Sequence, residues 1–282
     1  MRLLEGKPIA ARIKEDLKKQ IHELQLKPIL ASIQVGENAG AEAYAKSQKK
    51  TAENLGIEYK FHKLNQDIKE QELIDFIQQL NEDKNISGII LQMPLPAHID
   101  YKKMSNFILP EKDVEAMNPA NTGKIIFGKA RILPCTPAAV MELLNETGID
   151  LYGKEVVIVG HSEIVGKPLS LLLLEKFATV TVCHIGTSQA GKLEEHVRGA
   201  QILIVAVGKA GLIKGEWIRQ GAIVIDVGIN RVEGKIVGDV EFDEAAKRSS
   251  WITPVPGGVG PLTVIMLMRN LVQTAKLQVK AS

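Results

Sequence analysis

Cysteine is scarce. Cys135 and Cys183 are the only two in 282 residues, and they stand far apart with no C-x-x-C and no Cys/His cluster around either. That spacing excludes a disulfide framework and a structural zinc site, so no metal is expected and both thiols read as small, reduced, buried hydrophobes. Long apolar runs are missing as well. Nothing approaches the ~20 residues that span a bilayer, and Met1–Pro8 lacks the apolar stretch of a signal peptide. A cytoplasmic protein is therefore expected. Charge of one sign is not in excess either: 35 Lys+Arg against 33 Asp+Glu leave a net +2, which favours neither nucleic acid nor a membrane surface as partner. No fixed-period repeat and no low-complexity tract occurs.

What the chain does contain is an ordinary soluble composition, 45% hydrophobic and 24% charged, long enough for one large or two modest domains. Apolar positions Ile9, Ile13, Leu17, Ile21 and Leu24 make a helical stripe over residues 8–26. Strand patterns follow at 29–35, 58–64 and 88–93, with helices at 41–55 and 69–81 between them. From Pro110 to Pro137 the pattern dissolves into polar and turn-forming residues, the kind of irregular stretch that often carries function. A helix at 138–146 leads to a second alternation. There, strands at 156–159, 179–184, 202–207 and 223–227 are interleaved with helices near 170–175, 193–198 and 215–220, and a closing helix runs over 262–277. Strict alternation predicts an α/β fold with largely parallel sheets, the second half a small doubly wound, Rossmann-like unit.

The organising stretch of that second half is Val156-Val157-Ile158-Val159-Gly160-His161-Ser162-Glu163-Ile164-Val165-Gly166-Lys167-Pro168. An apolar strand breaks at a glycine and restarts as a helix, whose free N–H groups suit an anion. The spacing G-x-S-x-x-V-G is not the dinucleotide G-x-G-x-x-G, so by itself it is equally an ordinary tight turn. Other stretches join it: Tyr44 with the loop before it, Gln92-Met93-Pro94-Leu95-Pro96, Pro134-Cys135-Thr136-Pro137, Asp226-Val227-Gly228-Ile229-Asn230, Gly238-Asp239-Val240, and Ile252-Thr253-Pro254-Val255-Pro256-Gly257-Gly258-Val259-Gly260-Pro261. In this collinear order the chain resembles the bifunctional methylenetetrahydrofolate dehydrogenase/cyclohydrolase family over nearly its whole length.

The resemblance implies two α/β domains with a catalytic cleft between them. A folate-binding catalytic domain would cover 1–146, completed by the C-terminal helix 262–282, and a Rossmann-like NAD(P)-binding domain 147–261. It implies a small-molecule folate substrate, a nicotinamide cofactor and a homodimer. It places Tyr44, Gln48, Gln92 and Glu115 at catalytic positions. Tyr44, Gln92, Glu115 and the loop Pro256, Gly257, Gly258, Val259 and Gly260 would hold substrate, and Gly160, His161, Ser162, Ile185 and Ile229 would hold cofactor.

The chain departs from the family pattern at four positions. Ser-x-x-Tyr-x-x-x-Lys appears here as Ala41-Glu42-Ala43-Tyr44-Ala45-Lys46-Ser47-Gln48, so glutamine stands at the catalytic lysine position. A helix turns about 100° per residue, which puts Tyr44 and Gln48 on one face and aims Lys46, Lys49 and Lys50 about 120–160° away. Asp-Val-Asp-Gly appears as Asp113-Val114-Glu115-Ala116. Glu115 keeps a carboxylate one methylene further out, and Ala116 is strained if its φ is positive.

Oxidation of the methylene bridge needs mainly positioning of a hydride donor, whereas hydrolysis of the methenyl product needs proton transfer. Glutamine exchanges no proton at neutral pH. The expected activity is oxidation of 5,10-methylenetetrahydrofolate with weak or absent cyclohydrolase. A fully bifunctional enzyme, or a catalytically silent folate-binding paralogue acting as a regulatory subunit, remain the alternatives. Strand 179–184 ends without the acid that grips an NAD ribose, which points to NADP with NAD possible. His161 occupies the position of the arginine often used for the 2′-phosphate, and imidazole offers a hydrogen bond with little charge at neutral pH.

Overall fold

The computed structural model describes residues 1–281, with side chains to residue 279. In chain order the elements are Arg2–Leu3 (β1), Gly6–Glu23 (α1), Ile29–Val35 (β2), Ala39–Glu53 (α2), Glu58–Leu64 (β3), Glu70–Glu82 (α3) and Gly88–Leu91 (β4). Tyr101–Ser105 (α4), Pro119–Ile126 (α5), Cys135–Thr147 (α6), Glu155–Val159 (β5), Gly166–Leu174 (α7), Thr179–Cys183 (β6), Ile185–Gln189 (α8) and Leu193–Gly199 (α9) follow. The rest are Ile202–Val205 (β7), Ile223–Asp226 (β8), Asn230–Val232 (β9), Lys235–Val237 (β10), Phe242–Arg248 (α10), Trp251–Ile252 (β11) and Val259–Ala281 (α11).

Two units result, as expected of a two-domain α/β chain. One comprises residues 12–135 and the chain from Val264 onward, and is built on a parallel sheet in the order β3-β2-β4. Central β2 is buried along almost its whole length, as a strand covered on both faces requires. Its core gathers Ile33, Leu73, Ile77, Ile89 and Met104. α11 packs hard against β4: a Cβ on Gly88 would lie 2.7 Å from Leu271 Cδ1 and 2.2 Å from Val114 Cγ1. Asn270, on α11, donates to the carbonyls of Val114 (2.8 Å) and Leu133 (2.7 Å).

The other unit comprises residues 1–11 and 136–263, with a six-stranded sheet in the order β1-β11-β8-β7-β5-β6. All its pairings are parallel. The chain leaves β5 for β6 on one side and then for β7 on the other. The switch point of this doubly wound order therefore falls at the carboxyl ends of β5 and β7, where such sheets bind ligands.

The structure departs from the sequence expectations in several places. The division puts residues 1–11 with the six-stranded unit, where β1 pairs with β11, and nearly all of α6 falls in that unit as well rather than with 1–146. The stretch 110–137 contains α5, capped by the Asn118 side chain accepting from Ala120 N at 2.8 Å. The helix near 170–175 begins earlier, at Gly166, directly after the turn. The helix near 215–220 is only a 3-10 turn over Gly215–Trp217. The β9–β10 hairpin, α8 and α10 had no periodic signal long enough to announce them.

Candidate active site

In the three-stranded unit, Tyr44 and Gln48 lie one turn apart on α2, whose first turn is capped by Asn38 accepting from Ala41 N at 2.9 Å. Gln48 is completely buried, while Lys46 and Lys49 are exposed. Gln92 follows β4 and is anchored through its backbone N–H to the Ile33 carbonyl at 2.8 Å. The structure brings Gln48 and Gln92 into contact: Gln92 Nε2 donates to Gln48 Oε1 at 2.7 Å and to Ser32 Oγ at 3.0 Å. A third group, the Tyr59 hydroxyl on β3, donates to the same Gln48 oxygen at 2.8 Å. Burial pushes the Tyr59 hydroxyl up to about 12. Gln48 Nε2 is buried and has no partner among the described residues. Position 48 thus holds a neutral amide inside a polar knot of Ser32, Tyr59 and Gln92, with no ammonium bonded into it among the described residues.

Glu115 belongs to a different cluster of the same unit. Asp113 is buried and accepts from the N–H groups of Asn118 (2.8 Å) and Glu115 (3.2 Å) and from Asn121 Nδ2 (3.1 Å). Those donors only partly offset burial, which holds the Asp113 carboxyl above its ordinary value. Burial first, and the neighbouring Asp113 charge second, push Glu115 up to about 8. Glu115 was expected to offer a carboxylate, and in the free protein at neutral pH it instead keeps its proton. Ala116 has φ of +57° and is fully buried, the left-handed conformation in which a Cβ costs energy. The replacement of glycine there is a strained one.

In the six-stranded unit, Gly160 follows β5 with φ of +122°. A Cβ there would stand 2.3 Å from the Ala206 carbonyl at the end of β7. Gly166 opens α7 under equal constraint, its hypothetical Cβ 2.0 Å from the Gly160 carbonyl. Ser162 Oγ accepts from Val165 N at 3.1 Å, closing the turn. His161 and Ser162 are exposed on it. The His161 ring lies 5.2 Å from that of His184, which follows β6 and caps α8 by accepting from Gly186 N through Nδ1 at 3.1 Å. Ile185 and Ile229 are 68% and 67% exposed, large apolar surfaces that water does not favour and a flat ligand would cover.

The loop from Pro254 to Pro261, with Lys7, Asp226–Ile229 and Ile236, lines a cavity of about 270 Å³. Gly257 has φ of +118°. Gly258 is required by the loop's own packing, since a Cβ there would lie 2.7 Å from Thr253 Cβ. Asp226, at the end of β8, accepts from the N–H groups of Gly228, Asp239 and Val240 and is pushed by burial up to about 6. Asp239 accepts from three successive N–H groups, Val207, Gly208 and Lys209, at 2.8–2.9 Å. It thereby fixes the loop after β7 against the Gly160 turn.

Comparison with known proteins meets this geometry at both units. Residues 4–115 match the catalytic domain of the tetrahydrofolate dehydrogenase/cyclohydrolase family, and residues 134–279 match its NAD(P)-binding domain. The chain belongs to this family. Membership makes it an NAD(P)-dependent tetrahydrofolate dehydrogenase. It is 50% identical over 283 aligned positions to the bifunctional protein FolD of Acetivibrio thermocellus, covering 99% of this chain and 98% of that one. The crystal structure of the bifunctional FolD dehydrogenase/cyclohydrolase of Campylobacter jejuni superposes with a TM-score of 0.95 at 45% identity, covering 98% of this chain and 99% of that one. The Trypanosoma brucei FolD dehydrogenase-cyclohydrolase, solved with NADP cofactor and inhibitor, matches with a TM-score of 0.93 at 37% identity over 99% and 98% of the two chains. Among the described residues no helix is long and apolar enough to cross a membrane.

Four residues of these sites escaped the sequence reading. Ser32 and Tyr59 sit in ordinary strand patterns with nothing to mark them. His184, directly after β6, could have been found by asking which side chain stands where the ribose-gripping acid usually does. Asp239 was quoted within a motif without a role.

Proposed function

We infer that this family member oxidises 5,10-methylenetetrahydrofolate to 5,10-methenyltetrahydrofolate and that its cyclohydrolase activity is weak or absent. The observation carrying this reading is Gln48: completely buried and bonded to Gln92 and Tyr59, with no hydrogen bond to an ammonium among the described residues. Methenyl hydrolysis calls for a group that gives and takes a proton, and an amide does neither near neutrality. Tyr59 does not replace the lysine as a base, since its hydroxyl stays protonated to about pH 12. In the three-stranded unit we assign Tyr44, Gln48, Gln92 and Glu115 to the reacting folate, and in the six-stranded unit we assign Pro256–Gly260 to substrate binding. Glu115, protonated when free, would give up its proton on meeting the donor edge of the pterin.

The six-stranded unit fits a nicotinamide dinucleotide: the Gly160 turn lies at the switch point of the parallel sheet and leads directly into α7, and Ile185 and Ile229 are exposed. NADP, when bound there, supplies the hydride acceptor. Gly160, His161, Ser162, Ile185 and Ile229 would hold it. The preference for NADP over NAD rests on β6, which ends in Cys183-His184 with no acid for a ribose 2′-OH. The His161–His184 pair offers ring N–H groups in that place. We read the protein as a homodimer, a reading supported by β3, whose outer edge is unpaired in its sheet and exposes Phe61.

A second reading, full bifunctionality, is favoured by the names of the relatives. One experiment separates the two. Wild type and Gln48→Lys are assayed with NADP for hydride transfer and with methenyltetrahydrofolate for hydrolysis. The expected result is transfer by both proteins and hydrolysis above the uncatalysed rate by the lysine variant alone. Rapid hydrolysis by wild type would establish the second reading instead.

A further inference from the structure

Tyr59 is a strand residue eleven positions from Gln48, yet its hydroxyl reaches the Gln48 side-chain oxygen at 2.8 Å. Gln92 reaches the same oxygen at 2.7 Å and is itself tied to Ser32. A buried glutamine has three rotatable bonds to fix, and two partners converging on one amide edge fix them. Turning the Gln48 and Gln92 amides over together preserves each of these contacts with donors and acceptors exchanged. In both arrangements one edge of the Gln48 amide is occupied by Tyr59 and Gln92, and the other edge, buried, has no partner among the described residues. An unpaired buried amide edge is costly, and a ligand atom that pairs it recovers the cost.

We propose that Tyr59 is a positioning residue of the folate site: together with Gln92 it clamps one edge of the Gln48 amide and so presents the other to a hydrogen-bonding atom of the reduced pterin. This rests on the dehydrogenase reading above for the identity of the ligand. Tyr59 touches no reacting atom; it acts through Gln48. Removing its hydroxyl frees the amide to rotate, so the effect falls on folate handling and leaves the dinucleotide half of the reaction alone.

Tyr59→Phe, Gln48→Leu and the double variant test this in a double-mutant cycle, with thermal midpoints confirming that each is folded. Tyr59→Phe is expected to lower kcat/KM for methylenetetrahydrofolate about 3- to 10-fold, the range of one hydrogen bond, and to leave KM for NADP within about twofold. In the Gln48→Leu background, with no amide to position, the same change is expected to have less than about a twofold effect. An undiminished loss in that background, or no loss in the folded single variant, overturns the proposal. Should wild type transfer no hydride, the dehydrogenase reading falls by itself. The cycle is then read from the Kd of tetrahydrofolate, with the same pattern expected and its absence equally decisive.

Discussion

Replacing Glu115 by glutamine removes a proton-binding group whose folded and unfolded affinities differ widely. Folded, burial and the Asp113 charge hold the carboxyl at about 8, against an ordinary 4.5. Below pH 4.5 both states are protonated and Glu115 costs the fold nothing. As pH rises, the unfolded chain releases its proton while the folded one retains it. Stability therefore falls progressively from about pH 5, and the full cost of Glu115 is reached above about pH 8. At about 1.4 kcal/mol per pH unit the whole difference would approach ~5 kcal/mol. Glu115 keeps some solvent access, and screening brings the expected loss to about 2–3 kcal/mol. Glutamine does not titrate, so Glu115→Gln should unfold in urea like wild type at pH 5 and be more stable by that amount at pH 9. Parallel stability curves from pH 5 to 9, or a gap that opens toward acid, would refute the burial argument.

Two further substitutions test the backbone. Gly160→Ala puts a Cβ 2.3 Å from the Ala206 carbonyl at a φ that disfavours L side chains; a loss of about 3 kcal/mol in stability and of measurable NADP binding is expected, checked by thermal unfolding and fluorescence titration. Ala116→Val adds branching to a buried residue at φ +57° and should destabilise by about 2 kcal/mol or more. Ala116→Gly should stay within about 1 kcal/mol of wild type, because relief of strain offsets the greater freedom of the unfolded chain.

The fold was legible wherever a two- or 3.6-residue period ran long enough. β2 and β3 have the expected limits because Ile29–Val35 and Glu58–Leu64 are uninterrupted strand patterns bounded by turn residues. α5 was not legible, because Pro119-Ala120-Asn121-Thr122-Gly123 reads as a turn until Asn118 is seen capping a helix. Part of the site was legible for a different reason. Gly160, Gly257 and Gln48 lie in short segments that match a family pattern, so the resemblance marked them even though Gly160 and Gln48 are held by residues far along the chain. Tyr59 and Glu115 owe their character to the folded surroundings: the contact of Tyr59 with Gln48 crosses from strand to helix, and the proton of Glu115 depends on burial and on the Asp113 charge. Ala116 lies between these cases, since the sequence posed the sign of φ as a question and only the backbone answered it.

The pairing of β1 with β11 bears on how such a chain is made. Arg2 and Leu3 leave the ribosome nearly 250 residues before their partners Trp251 and Ile252. The Arg2 guanidinium, 5.3 Å above the Trp251 ring, has nothing to stack on until then. The six-stranded sheet can grow strand by strand during synthesis, but β1 joins it only after Trp251 and Ile252 have emerged. Until that moment the edge of β11, or of β8 before it, stays open to neighbouring chains, and Arg2 and Leu3 then cover it, leaving a strand of two residues as the edge on that side.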